Sequence, residues 1–204
     1  MIKRKELGEY WRYLGMVQAG DGSDQRMVDA LATEVAEAAE VMSRKRVSLE
    51  GAIYLSNVVV MPRAMYRLER SRATAKQIDA VQASMRKVVA KKARITAAHT
   101  DVLFGGFMGC GWRKWQDEVN LERLKILIMA WEERTTVFGR MMRGAVAAMQ
   151  RECPGKELVC HGRYGGGNNP KVRDTWLGQL WQWMSESKLQ LRLDGHTACE
   201  EKGE

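Results

Sequence analysis

SLEGAIYLSNVVVMPRAMYRLERSRATAKQIDAVQASMRKVVAKKAR, the stretch from Ser48 to Arg94, decides how the chain reads. Its pattern predicts two helical segments broken at Pro62, a short basic joint, and one long helix with a basic C-terminal half. Proline lacks a backbone donor and crowds the preceding turn, so a kink or an end is expected there. Leu49, Ile53, Leu55 and the run Val58 to Met61 read mostly as core. Ser48, with Glu50 in the first turn, is a better N-cap than Ser43. A cap at Ser43 would fill the first turn with Arg44, Lys45 and Arg46, where the helix dipole disfavours cations. Thr74 with Gln77 matches a capping box and opens a helix that buries Ile78, Val81, Met85 and Val88.

Charge sets the stretch apart. From Val60 to Ile95 there are ten Lys/Arg against two acidic residues, a balance of +8 that equals the net charge of the whole chain. Arg86, Lys87, Lys91, Lys92 and Arg94 crowd the last turns of the long helix. Cations near a helix C-terminus favour the dipole, so part of this pattern needs no ligand. Five in nine residues exceeds what capping requires, and their mutual repulsion calls for a counter-charge such as phosphate. A solvated, charge-rich helix surface is the plainer explanation.

The remainder of the chain sets the frame. Its 204 residues are 45% apolar, enough for a real core, and abundant Ala and Met with only three prolines favour helix over sheet. No run approaches the roughly 18 apolar residues that span a bilayer, and MIKRKELGEYW at the start lacks the apolar centre of a secretory signal. Four scattered cysteines then read as free thiols in a reducing compartment. The expectation is an intracellular protein, of nucleus or cytoplasm, with no membrane partner.

Along the chain, Tyr10 to Gln18 predicts one short strand or half of a hairpin, ahead of the turn run Gly20-Asp21-Gly22-Ser23. Ser23 or Asp24 can cap a helix with Val28, Leu31, Val35, Ala38 and Met42 on one face. Asp29, Glu34, Glu37 and Glu40 make this helix acidic, suited to solvent or to pairing with the basic stretch. A Gly-rich loop, Gly105 to Gly111, precedes a helix expected from Gln116 to Arg134, with continuation through Met149 across a weak point at Gly139 as the alternative. Arg173 to Leu191 forms the last element, whose Trp176, Trp181 and Trp183 either dock into the core or face a partner. The expected architecture is mainly α: a helical bundle with a short N-terminal strand or hairpin and a Trp-rich C-terminal helix. Its divisions are a β element over 1–22, a helical domain over 23–150, a Gly-rich linker over 151–172, and the C-terminal helix with its tail over 173–204.

Several residues together carry a family likeness. Tyr13-Leu14-Gly15, Asp21-Gly22, an amphipathic helix, and then Ser48-Leu49, Leu55, Asn57, Val59, Pro62 and Tyr66-Arg67-Leu68 resemble the order found in non-LTR retrotransposon reverse transcriptases. Gly-Gly-Phe-Met-Gly-Cys-Gly-Trp at 105–112 resembles the glycine-rich segment that follows the thumb there. The likeness covers Trp11 to Leu68 best, is looser to Trp131, and is absent beyond Gln150. It implies that Tyr13, Leu14 and Gly15 correspond to the primer grip and that the following helices form a thumb. The fingers and catalytic palm would then lie N-terminal to Met1.

Catalysis is not expected. Polymerases of this kind hold two metal ions on clustered carboxylates, normally with an adjacent Asp pair. The chain has no Asp-Asp dipeptide, and its aspartates are scattered singly. Cys153, Cys160, His161, His196 and Cys199 lack the tight ligand pairs of a zinc site, so free thiols and surface histidines are the plainer reading. No cofactor and no metal are expected, nor do the glycine runs match a phosphate-binding loop. Three functions compete. One is a non-catalytic nucleic-acid-binding fragment whose Arg86, Lys87, Lys91, Lys92 and Arg94 contact RNA or DNA backbone without sequence preference. Another is an interaction protein that self-associates through Trp176, Trp181 and Trp183. The third is a decayed retroelement frame with no selected function.

Overall fold

Helix α1 (Gln25–Arg44) and helix α4 (Ala75–Ala93) lie side by side and point the same way in the computed structural model. The structure describes residues 10–13, 16–19, 24–96, 102–104, 110–153 and 169–191. At the starts of the two helices, the Gln77 amide donates to Gln25 Oε1 at 2.8 Å. At their ends, Lys92 Nζ donates to the Lys45 carbonyl at 2.9 Å, and Lys91 Nζ lies 3.5 Å from Ser43 Oγ. Two parallel helices adjacent in space need a returning element between them. Helices α2 (Leu49–Leu55) and α3 (Met61–Leu68) supply it, joined by a π-helical turn over Ser56–Val60.

That π turn corrects the expectation of a break at Pro62. Helical backbone runs without interruption from Leu49 to Leu68. A π turn inserts one residue, so Met61 N–H bonds to the Ser56 carbonyl and Pro62 enters the first turn of α3, where its missing donor costs little. The inserted residue also rotates Ser56 fully into the interior, where its hydroxyl accepts from Trp112 Nε1 at 3.0 Å.

The buried faces follow the sequence pattern closely. Helix α1 buries Met27, Val28, Leu31, Val35, Ala39 and Met42, with Ala39 in the place expected for Ala38. Helix α4 buries Ile78, Val81, Met85 and Val88, together with Gln82 and Val89. Ser48 caps α2 by accepting from Gly51 N at 3.1 Å, and the Thr74–Gln77 capping box is complete. Strands β1 (Tyr10–Tyr13) and β2 (Met16–Ala19) pair antiparallel, with Tyr13 opposite Met16, so the predicted strand is a two-stranded hairpin. The protein is mainly α-helical.

The same core takes in the segment before helix α5 (Trp115–Glu132). Asn57 donates to the Gly111 carbonyl at 2.8 Å and accepts from Arg113 N at 3.2 Å. The buried amide of Gln82 donates to the Arg113 carbonyl at 2.9 Å and accepts from Trp115 N at 3.2 Å. Phe104 stacks on Trp112 with ring centroids 4.7 Å apart. Backbone that carries no regular ladder is thus satisfied by two amide side chains, which fixes where Trp112 and Trp115 join the core.

The chain forms two compact units, Met1–Glu122 and Arg123–Glu204, whereas the sequence pattern places the limits at 22, 150 and 172. In the second unit, Leu127, Trp131, Val146, Met149, Val172, Leu177, Leu180, Trp181, Trp183 and Met184 make a separate core. It is built from the C-terminal part of α5 with α6 (Val137–Glu152), α7 (Pro170–Arg173) and α8 (Trp176–Glu186). Helix α7 begins inside the stretch expected to be a linker, and α8 is shorter than the expected 173–191. Helix α5 ends at Glu132, close to the expected Arg134, and α6 begins as a separate helix at Val137 instead of continuing it through Gly139.

The same local device starts α6 and α8. Thr136 Oγ donates to the Glu133 carbonyl and accepts from Gly139 N, each at 3.0 Å. Thr175 Oγ does the same with the Val172 carbonyl at 2.7 Å and Gly178 N at 3.0 Å. The chain turns so tightly that a Cβ at Gly139 would stand 2.0 Å from the Glu133 oxygen, and one at Gly178 would stand 1.8 Å from the Val172 oxygen.

Urea denaturation of point variants measures this packing. Gly139→Ala and Gly178→Ala are each expected to destabilise by about 1–3 kcal/mol because the obstructing atoms are backbone. Gly144→Ala, which meets open space, should stabilise by about 0.5–1 kcal/mol. Ser56→Ala leaves the buried Trp112 donor unpaired and costs about 1–3 kcal/mol.

Candidate nucleic-acid interface

The ten basic residues between Val60 and Ile95 do not share one fate. Four arginines sit in ion pairs: Arg67 with Glu34, Arg70 with Glu69, Arg72 with Asp24, and Arg86 with Asp79. Arg67 ties α3 to the acidic face of α1 at 2.8 Å, which is the pairing expected between the acidic helix and the basic stretch. Arg70 also lies over the Tyr66 ring, 5.0 Å from its centroid.

Of the five residues expected to contact phosphate, two have structural work. Arg86 reaches back along α4 to grip both oxygens of Asp79, and its side chain is only 25% exposed. Lys92 is half-buried and caps α1 through the Lys45 carbonyl. This carbonyl lies just past the end of α1, so the ammonium also meets the negative end of that helix dipole.

Lys87, Lys91 and Arg94 are exposed, and none has a carboxylate partner among the described residues. Lys87 and Lys91 are one turn apart on the same side of α4, with exposed Lys76 three turns earlier on that side. Arg94 closes the helix in the left-handed region at φ 57°, while Ile95 N donates to the Ala90 carbonyl at 3.1 Å. This is a Schellman ending, in which the left-handed position favours glycine. Arginine there costs about 1 kcal/mol, roughly what a cation gains at a helix C-terminus.

Among the other sequence candidates, Tyr13 ends strand β1, while Leu14 and Gly15 lie outside the described residues. Cys153 is a buried free thiol, Cys110 is an exposed one, and no group of metal-binding side chains occurs among the described residues. Cys160, His161, His196 and Cys199 lie outside them. Trp181 and Trp183 are buried in the core of the second unit and Trp176 is half-buried, so docking, not display to a partner, is what these side chains do. No described helix is long and apolar enough to cross a membrane.

Sequence reasoning passes over Lys45 and Arg46. Both are exposed just past the end of α1, where the Lys45 carbonyl accepts from Lys92 of α4 and Arg46 follows next in the chain. The signal is present as the run Arg44-Lys45-Arg46, which in sequence counts only as a poor first turn for α2. Comparison of the chain with protein-family models, curated proteins and solved structures gives no match.

The division between structural and exposed cations is testable by thermal and urea melts. Lys92→Ala lowers stability by about 0.5–1.5 kcal/mol through loss of the capping bond. Lys87→Ala changes it by less than about 0.5 kcal/mol, and Arg94→Gly leaves it unchanged or higher.

Proposed function

We propose that the chain is a non-catalytic nucleic-acid-binding module that holds a sugar–phosphate backbone against the C-terminal part of α4, as the thumb side of a retroelement reverse transcriptase would. The observation that carries this reading is the set Lys87, Lys91 and Arg94, exposed on one helix end with no acidic partner among the described residues. Arg86 and Lys92, engaged in holding the fold, act as supports for that surface. The resemblance of Ser48 to Leu68 to the reverse-transcriptase pattern supplies the retroelement part of the proposal. The lack of an Asp-Asp pair in the chain supports the non-catalytic part.

Contacts of this kind read backbone and not bases, so binding is expected to be independent of sequence and strongly dependent on salt. Self-association through the tryptophans is not carried forward, because Trp181 and Trp183 are consumed by their own core.

The test is fluorescence anisotropy on a labelled DNA duplex and on an RNA–DNA hybrid across a salt series. Replacing Lys87, Lys91 and Arg94 together by Ala should make the log–log salt slope on the duplex shallower by about 2.7, since each phosphate contact contributes about 0.9. Absence of binding at low salt, or an unchanged slope in the triple variant, overturns the proposal. Primer extension by the purified chain with magnesium or manganese would overturn its non-catalytic part.

A further inference from the structure

We infer that the phosphate-binding surface is bipartite, and that Lys45 and Arg46 at the end of α1 form its second half; this rests on the nucleic-acid reading above. The two basic runs are far apart in sequence, and the parallel packing of α1 and α4 brings them to one end of the helical pair. Lys92 Nζ on the Lys45 carbonyl at 2.9 Å and Lys91 Nζ beside Ser43 Oγ at 3.5 Å fix that juxtaposition.

The charge at this end exceeds what the fold itself uses. Each helix C-terminus carries roughly half a negative charge, so the two together offset about one cation. Lys92 already fills that role. Arg44 is paired with Glu40. Lys45, Arg46, Lys87, Lys91 and Arg94 remain, all exposed and none with a carboxylate partner among the described residues. Lys91 is the link between the halves, one turn from Lys87 along α4 and in contact with α1 through a neutral hydroxyl that leaves its charge in place. A surface of this kind fits a continuous row of phosphates better than a single anion, because its cations are spread over two helix ends instead of converging on one point. A nucleic-acid backbone has that form.

The surface as a whole has a different salt signature from α4 alone. Five contacts predict a slope near −4.5 on duplex DNA, against about −2.7 for the three on α4. The closing experiment compares the intact chain with Lys45→Ala/Arg46→Ala and with the Lys87, Lys91, Arg94 triple variant, on one DNA duplex over one salt series. The bond to Lys92 uses the backbone carbonyl of Lys45, so the double variant should keep its fold, with circular dichroism and melting temperature as controls. The expected result is a slope shallower by about 1.8, with about 60-fold weaker binding near 0.1 M salt. A double variant that keeps the parent slope while the triple variant loses its share overturns the bipartite surface and leaves the α4 reading intact. If neither variant changes binding, both fail. Equal loss of affinity for phosphatidylserine vesicles and for DNA, with the vesicles bound as tightly, would overturn a nucleic-acid backbone as the occupant.

Discussion

The parallel alignment of α1 and α4 is the constraint on which the first unit depends. Two helices running the same way place like dipole ends together, positive at their starts and negative at their finishes. Each end is handled separately. At the start, the Asp24 carboxylate accepts from Arg72 N at 2.7 Å, and Gln25 and Gln77 bond to each other. At the finish, the ammonium of Lys92 sits on the last carbonyl of the α1 ending. Cations are therefore required at this end of the pair, and the excess beyond that need is what makes it a candidate surface.

The alignment also dictates the returning helix. Helix α1 has 20 residues and α4 has 19, so the return has to match their length to bring the chain back to the starting end. Leu49–Leu68 does so as continuous helix only because the π turn absorbs Pro62. A proline in the middle of a helix ordinarily costs about 3 kcal/mol. Here the widened turn removes the clash and delivers Ser56 to Trp112 and Asn57 to Gly111 and Arg113. The distortion is what anchors the irregular segment ahead of α5.

Much of this is legible in the residues. The buried faces of α1 and α4, the Ser48 cap and the Thr74–Gln77 box follow from spacing at the helical period, which is local information. The π turn is not, because one inserted residue shifts the period only within a single turn, and Val58 and Val59 read as core although both are exposed. The end of α5 at Glu132 falls two residues from the expected Arg134, where the polar run Glu133-Arg134-Thr135-Thr136 interrupts the apolar spacing before α6 resumes it. The repeated Thr-x-x-Gly spacing at 136–139 and 175–178 is the available signal. Parallel packing of α1 and α4 is a long-range relation that no local pattern encodes, and the neighbourhood of Lys45 with Lys92 depends on it.

Charge counting from sequence meets the same limit. A balance of +8 over Val60 to Ile95 treats every cation alike, yet the ion-paired members are all arginines: Arg67, Arg70, Arg72 and Arg86. The planar guanidinium suits fixed pairing with carboxylates, while the lysine ammonium is a compact, hydrated point charge on a flexible stem. Most of the cations left exposed at the end of the helical pair are lysines: Lys45, Lys87 and Lys91, with Arg46 and Arg94 beside them. Base-edge recognition calls for rigid, bidentate donors, whereas backbone contact needs only mobile positive charge at the right spacing. Arg67 and Arg72 tie separate elements together through Glu34 and Asp24, whereas Lys45, Lys87 and Lys91 keep mobile charge at the open end, which is enough for sequence-independent contact with a phosphate chain.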